Sequence, residues 1–439
     1  MLDVIIRNGT VVDGSGTPGV RADVGLAGDR IASIGDLSDE EATRVIDASG
    51  KVVAPGFIDV HTHYDAQVFW DQTLSPSPVH GVTSVFGGNC GFTIAPLGPE
   101  HGEYLMKMLA RVEGMPISAL EAGVPWDWTS FGEYLDKIDG TLAPNAGFLV
   151  GHSTIRRVVM GERATKGEAT ADEIAAMQAL LDASLAAGGM GFSSSWARTH
   201  NDAAGDMVPS RYASEEEILA LCSVVKKHPG TTLEFIPCVG EFEDFAPDLM
   251  AKMSLAANRP LNWNVLFVGK GPNPTVEKNL SASDHAAALG ARVLALTMPA
   301  APSPRICFDS GFLLDTITGW EKPMALPHDE KLAMLSSKDG RAVLADAAKQ
   351  PQTGFAVTAW GIYVINEVFA PENKQWEGMS VADIAKARGV DEFDALCDIV
   401  VADDLMTGFG FPSAPDDDDT WKARIKVWRD SRTVVGASD

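Results

Sequence analysis

The chain has 439 residues, of which 45% are hydrophobic and 22% are charged, which suits a globular protein with a large core. Its 60 acidic and 35 basic residues give a net charge of −25, which argues against nucleic acid and anionic membrane surfaces as partners. No run approaches the ~20 apolar residues of a membrane span, and the start MLDVIIRNGTVVDG lacks the features of a signal peptide, so we expect a cytoplasmic protein.

Residues 1–54 are predicted to form a small N-terminal β-sandwich module. Their alternating apolar runs are short and break at glycines such as Gly14. A hairpin signal follows at Gly28-Asp29. This pattern of short strands and tight turns is not that of a barrel.

From residue 55 onwards, short apolar runs alternate with helical stretches, which predicts βα repeats around a parallel sheet. Helices are expected at 171–187, capped by Thr170, and at 214–227, capped by Ser214. The expected strands are 56–62, 82–88, 146–152, 189–195, 231–237, 260–266, 291–298 and 432–438. Eight strands predict a closed (β/α)₈ TIM-like barrel over residues 55–439, with its site at the C-terminal ends of the strands.

A long insertion is predicted at about residues 300–430, between strands seven and eight. It contains helical segments of its own and could cover or line the site. We interpret Trp320, Trp360 and Trp376 as packing residues of this insertion. The acidic run Asp416 to Asp419 is interpreted as a solvated loop, with a divalent-ion patch as the alternative.

The strongest chemical signal is the segment PGFIDVHTHYD at residues 55–65. Residues two apart on a strand point to the same face, so His61 and His63 converge at the top of the predicted barrel. Paired neutral imidazoles are favoured ligands of zinc and similar ions. The alternative, two hydrogen-bonded histidines in a polar core, fits this context less well. The sequence therefore predicts a metal site.

This segment resembles the signature of the amidohydrolase superfamily. The following HGVTSVFGGNCGF, residues 80–92, resembles the D-aminoacylase or N-acyl-D-amino-acid deacylase branch. The resemblance extends to the N-terminal module, to GHSTIR at 151–156 and to the final GASD, and it implies metal-dependent hydrolysis of an amide. It also implies that Cys90, at the end of strand two, is a metal ligand, and a thiolate beside a divalent cation binds it strongly. The alternative is a buried free cysteine.

The other four cysteines lack such a context and are interpreted as structural. An odd total of five, with wide spacing and no CxxC pair, favours reduced thiols over a disulfide framework.

Asp439, the last residue, corresponds by resemblance to the aspartate that contacts the metal and acts as general base. A carboxylate there can accept a proton from the attacking water and pass it to the leaving nitrogen. A frayed terminal residue is the alternative. Because nothing after strand eight completes the β module, we expect either a truncated chain or a second chain that supplies the remainder.

The chain departs from the deacylases in strands five and six, where they have histidines. Glu234 stands in strand five, and Asn262 and Asn264 stand in strand six. Glutamate can ligate zinc, whereas asparagine suits hydrogen bonding to a substrate carbonyl. Three arrangements stay open: one metal at His61, His63 and Asp439, a reshaped site that uses Cys90 and Glu234, or a site without catalysis.

Further candidates lie at the ends of strands three and four. His152 could stabilise an oxyanion or hold a polar substrate group, against a structural role. Ser193 to Ser195 stand where other superfamily members have a carboxylated lysine, and Ser194 is a candidate for substrate binding. A nucleophilic serine is disfavoured because no GxSxG elbow is present. In the loop after strand four, Arg211 and Tyr212 are candidate substrate contacts, because an arginine can clamp a carboxylate.

Together these features predict a zinc-dependent hydrolase of an amide C–N bond, with one or two divalent ions and a small N-acyl amino acid or related amide as substrate. The alternative is a catalytically altered barrel that acts as a binding or scaffold subunit, or one part of a split enzyme. A homo-oligomer or a completing second chain is the expected protein partner.

Overall fold

The computed structural model describes residues 1–98, 100–269, 273–300, 303–352, 357–412 and 417–438. The chain divides into two compact units, the first comprising Met1–Ile58 and Val79–Ser84 and the second comprising Asp59–Pro78 and Val85–Asp439. This division lies close to the predicted boundary after residue 54, which stays a prediction. Within the described ranges, no helix combines the length and apolar character needed to span a membrane.

The first unit contains one mixed sheet in the order β3-β2-β1-β4, with β5 also paired to β1. The strands β1 and β2 form an antiparallel pair, as do β2 and β3, whereas β4 and β5 run parallel to β1. Gly28-Asp29 forms the two-residue turn between β2 and β3, which confirms the predicted hairpin. The strands are β1 (Leu2–Val11), β2 (Val20–Ala27), β3 (Arg30–Gly35), β4 (Ala42–Asp47) and β5 (Val52–Val53). A second sheet, as in a sandwich, stays a prediction.

All eight strands expected after residue 55 are present, although several are shorter than predicted. The predicted third strand is divided into two short segments. The expected strands are β6 (Phe57–Asp59), β7 (Val82–Gly87), β8 (Asn145–Phe148), β9 (Val150–Gly151), β10 (Gly191–Ser195), β11 (Thr232–Ile236), β12 (Leu261–Leu266), β13 (Val293–Thr297) and β16 (Thr433–Val435). Two further strands, β14 (Val364–Glu367) and β15 (Gly408–Gly410), lie in the insertion between β13 and β16.

These strands neighbour one another in chain order. One sheet has the order β6-β7-β8, and a parallel sheet has the order β9-β10-β11-β12-β13-β16. Leu149, between β8 and β9, donates its backbone N–H to the carbonyl of Gly87 at 3.0 Å. After β16, the backbone N–H of Ser438 donates to the Asp59 carboxylate at 3.3 Å. The fold is therefore α/β with sequential parallel strands, whereas full closure into a (β/α)₈ barrel stays a prediction.

Fourteen α-helices are found in the described residues, and both helices predicted with caps are among them. Thr170 and Glu173 form a reciprocal capping box at the start of α5, and Ser214 accepts the Glu217 N–H at the start of α6. The helices are α1 (Gly102–Val112), α2 (Ile117–Gly123), α3 (Phe131–Ile138), α4 (His152–Met160), α5 (Ala171–Ala186), α6 (Glu215–Val225), α7 (Ala246–Ala257), α8 (Pro274–Ala288), α9 (Glu321–Met324), α10 (His328–Ser336), α11 (Lys338–Ala348), α12 (Val381–Arg388), α13 (Glu392–Ala402) and α14 (Asp418–Trp428).

The insertion between β13 and β16 has a hydrophobic core of its own, to which its helices and the antiparallel pair β14–β15 contribute. Trp320 is fully buried, donates its indole N–H to Leu344 O at 3.0 Å and stacks on Trp360 at 5.4 Å between ring centroids. Trp376 packs partly buried against the same core. The interpretation of these tryptophans as packing residues is confirmed.

The acidic run before α14 differs from the predicted loop. Asp417 caps the helix by accepting the Thr420 N–H at 2.9 Å, and Asp418 and Asp419 occupy the first turn. Asp416 lies outside the described residues. Acidic side chains stabilise a helix N-terminus, because they interact favourably with the positive end of its dipole. The loop interpretation was therefore wrong for Asp418 and Asp419, which lie in the helix, whereas Asp417 precedes it as the N-cap.

Candidate metal centre

His61 and His63 lie directly after β6, beyond its C-terminal end. Thr62 fixes this segment by donating its N–H at 3.0 Å and its hydroxyl at 2.9 Å to the carbonyl of Phe86. With Thr62 turned towards the neighbouring strand, the flanking imidazoles project together. Both are buried, and their ring centroids are 5.2 Å apart.

Cys90 completes a group of three buried side chains with these histidines. One ligand atom from each of His61, His63 and Cys90 lies within 4.8 Å of the others, and Cys90 Sγ is 3.7 Å from His61 Nε2. Within the described residues, this is the group of His, Cys, Asp or Glu side chains close enough to share one metal ion. Two imidazoles and a thiol are a donor set suited to zinc. All five cysteines are free, as the sequence indicated, and all five are buried.

A tight turn after β7 presents Cys90 to the histidines. Cys90 has a left-handed φ of +54°, which is rare for a residue with a side chain, and Gly88 and Gly91 on either side also have positive φ. A Cβ at Gly88 would collide with the backbone of Leu149. The glycines of GGNCG thus permit the turn that brings the thiol into the group.

Glu234 on β11 and Asn264 on β12 support this turn. Glu234 Oε2 accepts the Cys90 N–H at 2.8 Å, and Glu234 Oε1 accepts a hydrogen bond from the Asn264 amide, which also lies 3.9 Å from Cys90 Sγ. Burial raises the pKa of Glu234 to about 7, although His61 and the Cys90 N–H oppose this shift. Glu234 lies outside the three-residue group, so its role as a ligand stays a prediction. Asn262 donates to Asn264 Oδ1 at 3.3 Å.

Two further carboxylates near the centre were not identified from the sequence. Glu113, directly after α1, has its Oε1 3.4 Å from His63 Nδ1. Asp65 is buried and accepts the Gly88 N–H at 2.9 Å, and burial raises its pKa to about 6. Asp65 follows His63 at the same two-residue spacing that separates His61 from His63, and this spacing could have indicated that Asp65 lies near the histidines. Glu113 had none, because its contact with His63 is non-local.

His152 and Ser194 belong to a separate, fully buried cluster. His152 Nδ1 is 2.8 Å from Ser194 Oγ, and His152 Nε2 is 2.9 Å from Glu217 Oε1, which also accepts from Arg156 Nε at 2.7 Å. Burial lowers the pKa of His152. This order of serine, histidine and carboxylate is that of a nucleophilic triad, but it is sealed from solvent. The catalytic role of His152 and the substrate role of Ser194 stay predictions.

Arg211 and Tyr212 belong to the loop after β10. Arg211 Nη1 donates to Arg198 O, His200 O and Asn201 Oδ1 at 3.1–3.2 Å, so this guanidinium organises the loop. Tyr212 is half-buried beside it. The predicted substrate contacts of these two residues stay predictions.

A cavity of about 170 Å³ opens onto the metal centre. His61, His63 and Cys90 line it together with Asn264 and His200. Its further lining residues include Arg111, Glu113, Phe312 and Asp315. Asp439 lies outside the described residues, so its predicted roles as ligand and general base stay predictions.

Comparison with known proteins identifies the family. Residues 44–399 match the sequence profile described as the amidohydrolase family. The chain is 40% identical over 229 residues to D-aminoacylase of Alcaligenes xylosoxydans xylosoxydans, a match to 52% of this chain and 43% of that protein. It is 32% identical over 269 residues to N-acyl-D-aspartate deacylase of the same organism, a match to 60% of this chain and 48% of that protein. These matches span less than half the length of either relative.

Solved structures agree. A crystal structure of D-aminoacylase, described as defining a novel subset of amidohydrolases, has a TM-score of 0.62 at 27% identity, with 99% of this chain and 76% of that chain covered. N-acyl-D-glutamate deacylase from Bordetella bronchiseptica, in complex with zinc and a phosphonate inhibitor, shares the fold with a TM-score of 0.64 at 23% identity, with 99% and 75% covered. The chain belongs to the amidohydrolase family, in its D-aminoacylase branch.

Proposed function

We propose that this chain is a metal-dependent hydrolase of the amide C–N bond in N-acyl-D-amino acids, and that its sequential strands close into a (β/α)₈ barrel. The observation that carries the proposal is the buried group of His61, His63 and Cys90, whose ligand atoms lie within 4.8 Å of one another in a chain of the D-aminoacylase branch. A buried thiol beside two imidazoles is unusual in a core that has no metal to hold, because each group is polar or reactive.

We assign the metal to His61, His63 and Cys90, with zinc as the ion that this donor set suits. When bound there, such an ion supplies a Lewis acid for the scissile carbonyl and lowers the pKa of a bound water. A solved D-aminoacylase has been described as having a binuclear metal centre, which supports a divalent ion here.

The remaining side chains keep this donor set in place. Glu234 holds the Cys90 N–H, which fixes the turn that presents the thiol. Glu113, 3.4 Å from His63 Nδ1, orients that imidazole, as carboxylates commonly do for ligating histidines. Asn264 lines the cavity and can donate to a substrate carbonyl oxygen.

The proton transfer requires a group that accepts a proton from water and returns it to the leaving amine. We assign this role to Asp439, on its resemblance to the family's aspartate. The acid–base cycle then leaves Asp439 as it began: it takes one proton on attack and gives it to the nitrogen as the C–N bond breaks.

The substrate class follows from the relatives, which are named D-aminoacylase, N-acyl-D-aspartate deacylase and N-acyl-D-glutamate deacylase. Zinc-loaded protein should release amine from N-acetyl-D-methionine, N-acetyl-D-aspartate or N-acetyl-D-glutamate in a ninhydrin assay, with the L-enantiomers as stereochemical controls. His61→Ala should abolish release. His285→Ala should not, because His285 pairs with Asp248 on the surface at 2.7 Å.

Metal binding without release of amine from any of these acids would overturn the proposed activity. It would favour a binding or scaffold role, or a split enzyme that a second chain completes. Adding that second chain and regaining activity would identify the latter.

A further inference from the structure

Arg111 is a charged residue on the buried face of a helix. It lies on α1 among the apolar residues Leu105, Met108, Leu109 and Val112, and only 7% of it is exposed. Burying a guanidinium is costly unless its charge and its N–H groups are matched. Its surroundings therefore indicate what it does.

The guanidinium of Arg111 is only partly matched. Nε donates to Asp315 Oδ2 at 3.0 Å, and Nη1 donates to Ser310 O at 2.5 Å and to Met324 O at 2.9 Å. Nη2 is buried and has no hydrogen-bond partner within the described part of the chain. An unpaired buried donor is costly and uncommon, more so on a charged group.

Arg156 provides the contrast. It is equally enclosed, yet its Nε reaches Glu217, its Nη1 reaches two backbone carbonyls and its Nη2 reaches Gly167 O at 2.8 Å. This is how a purely structural buried arginine is satisfied. In Arg111, by contrast, the whole Nη2 amino group lacks an acceptor within the described residues.

The position of Arg111 indicates where an acceptor for its Nη2 group could come from. Arg111 lines the metal-centre cavity and also a neighbouring cavity of about 820 Å³, so it stands in the wall between them. Glu113 and Phe312 line both cavities as well. The larger cavity is bordered by α1 and by residues of the insertion. Three of the basic side chains on its lining are paired with carboxylates: Lys107 with Glu103, Arg305 with Glu367 and His328 with Asp309.

The local backbone is shaped to hold this guanidinium. Gly311 has a φ of +69°, and a Cβ there would collide with Arg111 Nη1 and approach Met324 Cβ to 2.9 Å. Asp315 fixes the Nε edge, and the two carbonyls fix Nη1. The plane of the guanidinium is therefore set, with Nη2 as the donor that remains.

We propose that Arg111 is a specificity-determining residue that binds an anionic group of the substrate, a carboxylate, through Nη2 at the junction of the two cavities. The proposal rests on the proposed function and extends it, because it names the residue that favours an N-acyl amino acid over a neutral amide. A carboxylate is the fitting partner because a charged acceptor gives a stronger hydrogen bond to a guanidinium than a neutral carbonyl gives. Asp315 balances the charge of Arg111 itself, so the carboxylate is bound through the hydrogen-bond donors of Nη2.

The test compares a charged and a neutral substrate of the same size, N-acetyl-D-methionine and its C-terminal carboxamide. Arg111→Lys keeps the charge but loses the planar donor group. We expect kcat/KM for the acid to fall by about tenfold or more, as loss of a charged hydrogen bond predicts, with a much smaller change for the carboxamide. Arg156→Lys is the matched control, and it should lower the thermal midpoint without altering the ratio of the two kcat/KM values.

An equal fall for both substrates in Arg111→Lys, or an unchanged ratio, would overturn the proposal. A binding measurement covers the case in which the variant does not fold. The ligand for calorimetry on the zinc-loaded wild type is a non-hydrolysable analogue of N-acetyl-D-methionine in which a methylene group replaces the amide nitrogen. The proposal expects this acid to bind at least about tenfold more tightly than its carboxamide, and equal affinities would refute it. Binding is measured without turnover, so the two proposals can fail separately. An absence of hydrolysis would contradict the proposed activity, whereas the affinity ratio alone tests the role of Arg111.

Discussion

The enclosed ion pair of Glu217 and Arg156 gives a quantitative prediction for Glu217→Gln. Burial pushes the pKa of Glu217 up, but the hydrogen bonds and charges of His152 and Arg156 outweigh burial and hold it below its usual value. The carboxylate is therefore ionised and compensates the Arg156 charge. Glutamine preserves the shape of the side chain but leaves the guanidinium without a counter-charge, because the other acceptors of Arg156 are neutral carbonyls.

Removing one partner of a fully buried ion pair costs about 3–5 kcal/mol. Unfolding entropy scales with chain length, and for 439 residues it is about 0.9 kcal/mol per kelvin. Dividing the first quantity by the second predicts that the thermal midpoint falls by about 3–5 °C.

Differential scanning calorimetry at pH 7 measures this shift directly. Glu216→Gln is the matched control, because Glu216 is the preceding residue on the same helix and is exposed. It should leave the midpoint within about 0.5 °C of wild type, as a surface substitution. A Glu217→Gln midpoint equal to that of the control would refute the view that an ionised glutamate compensates Arg156.

Three further predictions concern the rest of the fold. Hydrogen bonds from Arg163 and from the Thr170 N–H hold the pKa of Glu173 at about 2, below its ordinary 4.5. The stability that this carboxylate adds is therefore present above pH 4.5 and is lost as the pH falls to about 2. The thermal midpoints of wild type and Glu173→Gln should converge over this pH range, and a constant difference between them would contradict the prediction. Gly191→Ala should give unfolded or insoluble protein on expression, because φ is +150° and a Cβ would collide with the Thr232 carbonyl, and a soluble protein with native circular dichroism would refute this. Trp320→Ala should lower the calorimetric midpoint by about 3–5 °C through loss of a fully buried indole, and an unchanged midpoint would show that the insertion does not contribute to stability.

Local sequence pattern was sufficient for much of this structure. Strands and helices after residue 55 follow from apolar periodicity and from caps at Thr170 and Ser214, which are short-range features. The placement of His61 and His63 was equally local, because a spacing of two on an extended segment puts both side chains on one face. Cys90 was placed by resemblance, and the positive φ values of its GGNCG turn explain the glycines around it.

The rest of the site depends on contacts between distant residues. Cys90 meets Glu234 across 144 positions, and Arg111 meets Asp315 across 204. Periodicity cannot register such pairs, because it reports only which face of an element is buried. The sequence did offer one further indication, because Arg111 stands on the apolar face of α1, where a charged residue needs a partner. His152 illustrates the converse, because its position at a strand end did not reveal that Glu217 and Ser194 would enclose it.

Metal content tests the central claim most directly. Protein expressed without added metal should carry one equivalent of zinc per chain by elemental analysis, and His61→Ala and Cys90→Ala should each lose it. Cys222→Ala is the control, because Cys222 is a buried cysteine on α6 that is not part of the group, and it should retain the metal. A wild type that neither contains zinc nor takes it up on titration, or a Cys90→Ala variant that keeps its full content, would contradict the assignment.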